Sequence, residues 1–341
     1  MRVIAILATY NEERFISGCL ENLVRQGVQA YLIDNDSTDD TVTIAKRYIG
    51  QGLIGIERLP RAGVFSLRQQ LARKETLAAT LDADWFIHMD ADQILLPPAS
   101  TQTLAQALAM VDAKGFNAVN FNQFAFVPTK EEPDHDHENY QLTMRWYYPM
   151  ESQFPYAVRA WKRQQVQVDL SSSGGHHVRF PDLRLYPISF RYRHYLFLSV
   201  GHARRKYMQK QYDRNEIADG WHVHRVRRQA LLRLPFQSEL RFFSSDDELD
   251  YSEPKAYHVT NDLALDTAEI SGADLEALRA AHSRAEMENQ RLREVNAKAR
   301  SAAEKALAAA EAARAEVDAL RASTSWRFTA PLRSISSRLR R

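Results

Sequence analysis

Residues 85–92 read Trp-Phe-Ile-His-Met-Asp-Ala-Asp, and this stretch decides the fold. Residues 85–89 are mostly apolar and have the length of a buried strand, and two carboxylates one residue apart follow where that strand would end. Asp90 and Asp92 can therefore share a hard divalent cation, Mn²⁺ or Mg²⁺, with the phosphate oxygens of a bound substrate. The alternative is a solvated turn, because Asp-x-Asp also occurs in turns by chance.

Strand and helix patterns alternate through the chain before this stretch. We predict strands at 3–8, 30–33, 53–58 and 85–89. Helices are expected at about 12–26, from a capping box at 37–40 to about residue 48, and at about 64–81. The alternation predicts an α/β fold with a mostly parallel sheet and helices on both faces. Polar side chains that follow the strands then meet in one crevice at the carboxyl ends of the strands. The candidates are Thr9, Tyr10, Asp34, Asn35, Asp36, Asp90 and Asp92.

Charge and composition exclude several classes of protein. The 341 residues carry 45 Lys and Arg against 43 Asp and Glu, a net charge of +2, which argues against a dedicated nucleic-acid binder. An apolar fraction of 45% excludes wholesale disorder. Cys19 is the only cysteine, so an intramolecular disulfide and a multi-cysteine zinc site are excluded. The sequence has neither an apolar run of spanning length nor a secretory leader pattern, so we expect a cytoplasmic protein.

The composition changes near residue 263. Residues 265–322 contain no proline and no aromatic residue and are rich in Ala, Glu and Arg, which predicts a long helix over 263–322. That helix is either a weak coiled coil that forms a homo-oligomer or a solvated spacer. Residues 323–341 combine five Arg with apolar residues and no acid. This tail either lies on the inner face of a membrane or ends frayed or docked on the main domain.

Three motifs together resemble family 2 glycosyltransferases. They are Ala-Thr-Tyr-Asn-Glu-Glu at 8–13, Ile-Asp-Asn-Asp-Ser-Thr-Asp at 33–39, and the stretch at 84–92. A second set resembles the later motifs of a bacterial branch of that family: Ser-Gly-Gly-His-His at 173–177, Arg-His-Tyr at 193–195 and Gly-Trp-His-Val-His at 220–224. The resemblance implies the GT-A fold. Residues 1–125 would then be the nucleotide-sugar half, and residues 126–262 the half that binds the acceptor and completes the metal site.

The resemblance also implies roles for single residues. Tyr10 and the turn at 34–35 hold the nucleotide base and ribose, Asp90 contacts the ribose or the metal, and Asp92 ligates the metal. Asn35 stands where many members have Asp. Gln93 stands where related sequences often have Glu, so an acidic contact is expected to be missing there. A late histidine is expected to complete the metal site, with His177 as the first choice and His194 as the second.

An inverting transfer needs a carboxylate base for the acceptor hydroxyl. We favour Asp169, because it closely precedes the Gly-Gly-His-His turn, and Glu151 and Asp134 remain open. Basic residues near the late motifs are candidates to meet donor phosphates or are surface charges. They are Arg191, Arg193, Arg204, Arg205 and Lys206, of which Arg193 is the one we assign to the donor. We interpret the acidic run at 131–138 as a solvated loop near the acceptor cleft.

These patterns predict a metal-dependent, inverting glycosyltransferase. Its donor is a nucleotide-diphosphate sugar, its acceptor a glycan or a lipid-linked glycan, and its setting the assembly of bacterial surface polysaccharide. A nucleotidyltransferase would carry a glycine-rich basic loop after the first strand, and residues 8–13 have neither glycine nor a basic residue. The non-enzymatic alternative is an assembly protein that works through its helix and tail and contains an inert transferase domain.

Overall fold

A computed structural model describes most of the first 260 residues of the chain. The described ranges are 1–152, 157–208, 211–219, 221–222, 232–256 and 258–260, with isolated helical residues between 301 and 319. The chain divides into two compact units, Met1–Ala281 and His282–Arg341. The ten strands that the structure describes belong to the first unit.

The first part of the chain forms a parallel sheet covered by helices. The strands are β1 (Val3–Thr9), β2 (Gln29–Asp34), β3 (Leu53–Arg58) and β4 (Trp85–Met89), and they lie in the order β3-β2-β1-β4. The helices between them are α1 (Ile16–Arg25), α2 (Thr41–Lys46) and α3 (Leu67–Thr80). Thr9 pairs with Asp34 and Leu7 with Met89, so the carboxyl ends of these strands lie side by side. The predicted alternation and the bounds of β4 are confirmed.

The second part adds six strands and four short helices. They are β5 (Gln93–Leu96), α4 (Leu104–Ala113), β6 (Ala118–Phe126), α5 (Tyr140–Thr143), β7 (Trp146–Met150), β8 (Val158–Lys162), β9 (Phe190–Tyr195), α6 (Val200–Ala203), α7 (Arg214–Ala218) and β10 (Arg241–Phe242). β8 runs antiparallel to both β4 and β6, and β9 pairs antiparallel with β5 and parallel with β6. The sheet as a whole is therefore mixed, which corrects the expectation of a mostly parallel one.

Alternating residues of β1 enter two separate apolar layers. Ala5 and Leu7 pack in the layer that contains Leu20 of α1, whereas Ile4 and Ile6 pack in the layer that contains Leu71 and Leu77 of α3. Successive side chains of a strand point to opposite faces, and both faces of this strand are buried. Burial on both faces explains why the strand is a continuous apolar run.

The polar run at 37–40 does not form the predicted capping box. The Ser37 hydroxyl accepts a hydrogen bond from the Asn11 amide at 3.0 Å, and the Asp39 carboxylate accepts from the backbone of Glu13 and Thr41 at 3.1 and 3.0 Å. These bonds join the loop after β1 to the loop after β2. Because the loop after β1 is held in this way, α1 begins at Ile16 rather than near residue 12.

The predicted C-terminal segments fall almost entirely outside the described residues. Residues 312–316 are helical, and the long helix over 263–322 and the tail at 323–341 stay predictions. Across the part of the chain that the structure describes, no helix has the length and apolar composition that crossing a bilayer requires.

Candidate active site

A cleft of about 510 Å³ opens at the carboxyl ends of β1 and β4. Among the predicted residues, it brings together Thr9, Tyr10, Asp90, Asp92 and His194. Further lining side chains come from α3, from β8, from the turn that precedes β9 and from the segment after β9. The sheet topology explains this grouping, because the residues that follow adjacent parallel strands meet at one edge of the sheet.

Asp92 is a buried and ionised carboxylate. It is 7% exposed, and its Oδ2 accepts hydrogen bonds from Lys206 Nζ at 2.6 Å and from His194 Nε2 at 3.3 Å. Burial raises the pKa of Asp92, but the Lys206 ammonium and His194 together lower it by more than burial raises it. The pKa of Asp92 therefore lies well below the ordinary value. Its Oδ1 is buried and has no hydrogen-bond partner among the described residues.

Lys206 lies on a short π-helical turn, Arg204–Met208, that follows α6. Its Nζ lies 3.9 Å from the Glu12 carboxylate as well as 2.6 Å from Asp92. Burial lowers the pKa of Lys206, and the two carboxylates raise it to a net value above the ordinary one. Of the basic residues that follow β9, Lys206 is therefore a buried cation of the cleft. Arg205, in contrast, is exposed and pairs with Asp136.

A chain of hydrogen bonds fixes the orientation of His194. The Tyr192 hydroxyl donates to Gln123 Oε1 at 2.7 Å, and Gln123 Nε2 donates to His194 Nδ1 at 2.9 Å. His194 Nε2 faces a carboxylate oxygen of Asp92, so this nitrogen carries the proton. His194, expected as a metal ligand, is here a hydrogen-bond donor that orients Asp92.

Tyr10 lines the cleft, and its ring packs against a guanidinium. The guanidinium carbon of Arg61 lies 3.6 Å from the centre of its ring. The Arg61 backbone N–H donates to Asp36 at 2.8 Å, and Asp36 also pairs with Arg58. Arg58 lowers the pKa of the Asp36 carboxyl most, followed by the Arg61 backbone. Asp36 thus positions Arg61 over Tyr10 and is not itself part of the cleft lining.

The turn at 34–35 is tied into the protein. Asn35 is 3% exposed, its amide donates to the Leu59 carbonyl at 2.9 Å, and its Oδ1 accepts from Gln70 Nε2 at 3.0 Å. Asp34 accepts from the Ser37 amide at 3.3 Å. Neither residue lines the cleft. Both ends of the Asn35 amide are therefore used within the protein, where a contact to the nucleotide base was expected.

The Gly-Gly-His-His motif forms a tight turn over the cleft. Gly174 and Gly175 both have positive φ, of 62° and 81°. A Cβ on Gly175 would lie 2.8 Å from His88 Nε2 and 2.9 Å from Leu71, so only glycine fits without movement. His176, rather than the predicted ligand His177, lines the cleft.

Glu75 of α3 anchors this turn. Its Oε1 accepts hydrogen bonds from the backbone of Leu170 at 2.7 Å, and from the backbone and hydroxyl of Ser171, both at 2.9 Å. The Ser173 hydroxyl closes the turn by donating to the His177 carbonyl at 2.7 Å. The polar residues of the motif therefore hold its shape, and the sequence motif alone did not point to the buried glutamate on which it rests.

The three predicted bases lie outside the cleft lining. Asp169 accepts from the Ser172 amide at 2.8 Å, and Asp134 accepts from the Asp136 amide at 2.9 Å. Glu151 also lies away from the lining. The carboxylates that do line the cleft, within the described residues, are Glu12, Asp90 and Asp92.

Arg193 points away from the predicted phosphate site. It pairs with Asp246 at 3.4 Å, and its guanidinium carbon lies 5.2 Å from the ring centre of Phe243. Neighbouring residues of a strand face opposite sides, and His194 takes the side that faces the cleft. Arg193 therefore packs behind the sheet.

Comparison with known proteins gives the family of the first part of the chain. Residues 4–157 match the family model described as glycosyl transferase family 2. These residues belong to glycosyltransferase family 2. No curated protein matches the chain.

Among solved structures, the chain is similar to two bacterial proteins. The first is S. aureus TarS in complex with UDP-GlcNAc, with 20% identity, a TM-score of 0.27, and coverage of 38% of this chain and 35% of that chain. TarS 1–349 gives 14% identity and a TM-score of 0.35, with coverage of 57% and 60%. The second is glucosyl-3-phosphoglycerate synthase from Mycobacterium tuberculosis, in complex with Mn²⁺, UDP and phosphoglyceric acid. It gives 20% identity, a TM-score of 0.25, and coverage of 36% and 43%. The chain thus spans 35% to 60% of the length of these three matched chains.

The cleft also holds a buried lysine that no motif marked. Lys74 of α3 is 2% exposed, and its Nζ donates to His88 Nδ1 at 3.0 Å and to the Met89 carbonyl at 3.1 Å. Burial lowers the pKa of Lys74 to about 8, although Asp90 acts in the opposite direction. Burial, followed by Lys74 and Arg159, lowers the pKa of His88 well below its ordinary value. The sequence signals for this cluster were a charged residue on the buried face of α3 and the histidine within the motif at 84–92.

The donor set of the cleft fits a divalent cation that arrives with its substrate. Within the described ranges, no group of three or more His, Cys, Asp or Glu side chains is placed to hold an ion unaided. Asp92 Oδ1 is nevertheless an orphaned buried carboxylate oxygen, and Asp90 lines the same cleft. One or two carboxylates together with substrate phosphates form an ordinary set of ligands for Mg²⁺.

Proposed function

We propose that this chain transfers a sugar from a nucleotide-diphosphate sugar to a hydroxyl group of a glycan or lipid-linked acceptor, with inversion and with a GT-A-type domain. The observation that supports this most is the Asp92 carboxylate. It is buried and ionised, one of its oxygens has no hydrogen-bond partner among the residues that the structure describes, and it closely follows β4 in the part of the chain that matches family 2.

We propose that Asp92 Oδ1 and Asp90 hold Mn²⁺ or Mg²⁺ together with the diphosphate of the donor. A cation bound there supplies Lewis-acid neutralisation of the charge on the leaving diphosphate. Lys206 keeps Asp92 ionised, and the His194 proton keeps it oriented. His194 therefore acts in this proposal through Asp92 and not as a ligand.

The Tyr10 and Arg61 pair is proposed to take the nucleotide base. The guanidinium is stacked on the ring, and Arg61 Nη1 is buried without a partner among the described residues. A planar cation of this kind stacks well against an aromatic ring and can donate to a base oxygen.

The base that deprotonates the acceptor is proposed among the groups that line the cleft. General base catalysis needs a group within hydrogen-bond reach of the attacking hydroxyl. Asp169, Glu151 and Asp134 lie outside the lining, whereas Glu12, Asp90 and His176 lie within it. Changing each of the three lining residues, one at a time, tests this assignment.

The setting of the reaction is also a proposal. We place the enzyme in the cytoplasm, in the assembly of bacterial surface polysaccharide. The predicted helix over 263–322 is proposed to form a homo-oligomer, and the tail at 323–341 to touch the inner face of the membrane. Both segments lie almost wholly outside the described residues.

A thermal-shift panel tests the donor site. UDP, GDP, CDP and dTDP are added with and without Mn²⁺ to the wild type, to Asp92→Asn and to the control Asp40→Asn, which changes an exposed carboxylate. A ligand at 100 times its Kd adds about 2.7 kcal/mol of stability. We expect one nucleotide to stabilise the wild type and the control in a Mn²⁺-dependent manner, and Asp92→Asn to lose that dependence. If no nucleotide stabilises the wild type, the domain is inert and the proposal fails.

A further inference from the structure

Two buried cations in the cleft have no carboxylate partner. Lys74 is 2% exposed and Arg159 is 6% exposed, and both line the cleft. Lys74 Nζ contacts a ring nitrogen of His88 and the Met89 carbonyl. Arg159 donates from Nη1 to Gln93 Oε1 at 3.1 Å, while its Nε is buried and has no hydrogen-bond partner among the described residues. Within the part of the chain that the structure describes, neither cation forms an ion pair.

Gln93 is the reason that Arg159 has no ionic partner. It is fully buried, its Oε1 accepts from Arg159 and from the Asp90 amide, and its Nε2 donates to the Asp90 carboxylate at 3.2 Å. A carboxylate at this position would pair with the guanidinium, but an amide is neutral. Among the described residues, Asp90 is the carboxylate that acts on Lys74, so the cluster of Lys74, Arg159 and Asp90 keeps one positive charge in excess.

This excess positive charge is separate from Lys206, the cation that pairs with Asp92. Lys206 is already matched by Asp92 and Glu12, at 2.6 and 3.9 Å. The Lys74 and Arg159 pair instead adjoins Asp90 through Gln93 and the end of β4. Burying a positive charge that no carboxylate offsets is costly, and a cleft that holds one such charge in excess is suited to receive an anion.

We propose that Lys74 and Arg159 form an anion subsite that selects a sugar bearing a carboxylate, such as a hexuronic acid. This inference rests on the proposed function, because it names the class of sugar that the same cleft accepts. The carboxylate belongs either to the transferred sugar or to the acceptor sugar. In both cases the guanidinium can meet it through two parallel N–H groups, and the ammonium supplies a second charge.

The test compares acidic sugars with their neutral counterparts. The donor arm uses UDP-glucuronate against UDP-glucose and GDP-mannuronate against GDP-mannose. The acceptor arm uses free glucuronate against glucose, added to protein saturated with the nucleotide diphosphate that binds. Binding is measured by calorimetry for the wild type, Gln93→Glu, Arg159→Met and the control Arg163→Met. Arg163 follows β8 and pairs only with the exposed Asp82 among the described residues, so this control removes the same charge away from the cleft.

We expect the wild type and Arg163→Met to prefer the acidic sugar by about tenfold in one of the two arms. Gln93→Glu supplies the missing carboxylate without changing the shape of the side chain, so it should abolish or reverse the preference. Arg159→Met should weaken binding of the acidic sugar and leave the neutral one unchanged. A preference in the donor arm assigns the carboxylate to the transferred sugar, and a preference in the acceptor arm assigns it to the acceptor.

Equal binding of acidic and neutral sugars in both arms overturns the proposed anion subsite. The proposed function is not affected by that result as long as a nucleotide diphosphate binds. A preference that survives in Gln93→Glu overturns the subsite as well. If no nucleotide diphosphate binds, the proposed function fails, and free glucuronate against glucose still decides the subsite.

Discussion

The ion pair between Lys206 and Asp92 gives the most quantitative prediction. In Lys206→Met the apolar stem is kept and the charge is lost, which leaves Asp92 buried beside Glu12 without a counter-ion. The Lys206 side chain is 10% exposed and that of Asp92 is 8% exposed, so water cannot replace the ammonium. Removing one partner of such a pair costs about 3–5 kcal/mol of folding free energy. The pKa of Asp92 should rise at the same time, because burial then acts on it unopposed by Lys206.

The assay is urea denaturation of the wild type, Lys206→Met, Asp92→Asn and the double variant. The double variant removes both charges, so it should lose less stability than the sum of the two single variants, by about 1–3 kcal/mol. Lys162→Met is the control, because it breaks a surface pair with Asp112 that is worth about 0–1 kcal/mol. A loss below about 1 kcal/mol in Lys206→Met, or additive single losses, would refute this account of the pair.

Three further predictions concern the turn over the cleft and a buried histidine. Glu75→Gln removes the charge that accepts three hydrogen bonds, so it should cost about 1–3 kcal/mol in urea denaturation and speed hydrogen exchange at Leu170. Gly175→Ala introduces a Cβ 2.8 Å from His88 Nε2 at a φ of 81°, so it should destabilise the fold by more than about 1 kcal/mol and weaken nucleotide binding. Burial, followed by Lys206, lowers the pKa of His202 to about 3, against about 6.5 in the unfolded chain. His202 therefore stabilises the folded state above pH 6.5, and about 2 kcal/mol should be lost between pH 7 and pH 5, as pH titration of unfolding will measure.

Each of these predictions has a matched comparison. Gly50 also has a positive φ, of 77°, but a Cβ there would meet no atom within 4 Å. Gly50→Ala should therefore lose less folding free energy than Gly175→Ala, and equal losses would contradict the contact with His88. His202→Gln should flatten the acid limb of the stability curve, and an unchanged limb would show that His202 does not titrate on unfolding. An unaltered exchange rate at Leu170 in Glu75→Gln would show that Glu75 does not anchor the turn.

The parts of the fold that depend on local apolar pattern could be predicted from the sequence. β4 has the predicted bounds, because a short apolar run between polar residues fits a strand that is buried on both faces. α1 begins four residues later than predicted, since the loop before it donates to Thr41 and Asp39, which lie far along the chain. Such bonds between distant residues leave no periodic signal.

The candidate site was predictable after β1 and β4, but the predicted residues at the end of β2, 34–36, do not line the cleft, and lining residues on a helix or a distant turn were missed. Tyr10, Asp90 and Asp92 line the cleft as expected. Lys74 and Arg159 do not belong to any recognised sequence motif. They reach the cleft only because α3 and β8 pack beside β4. His176 lines the cleft and the predicted ligand His177 does not, because the direction of each side chain in a turn with two positive φ angles cannot be read from spacing. The role of His177 as a metal ligand stays a prediction.

The central claim is that this cleft breaks the bond between the sugar and the diphosphate of a nucleotide-diphosphate sugar, and that Asp92 is required for this step. The most direct measurement is release of nucleotide diphosphate from saturating nucleotide sugar by the wild type and by Asp92→Asn, with Mn²⁺ present and with water as the acceptor that takes the sugar. The account predicts release by the wild type and a fall of about 100-fold or more in Asp92→Asn, of the size seen when one electrostatic catalytic group is removed. Release at the wild-type rate by Asp92→Asn would contradict the account.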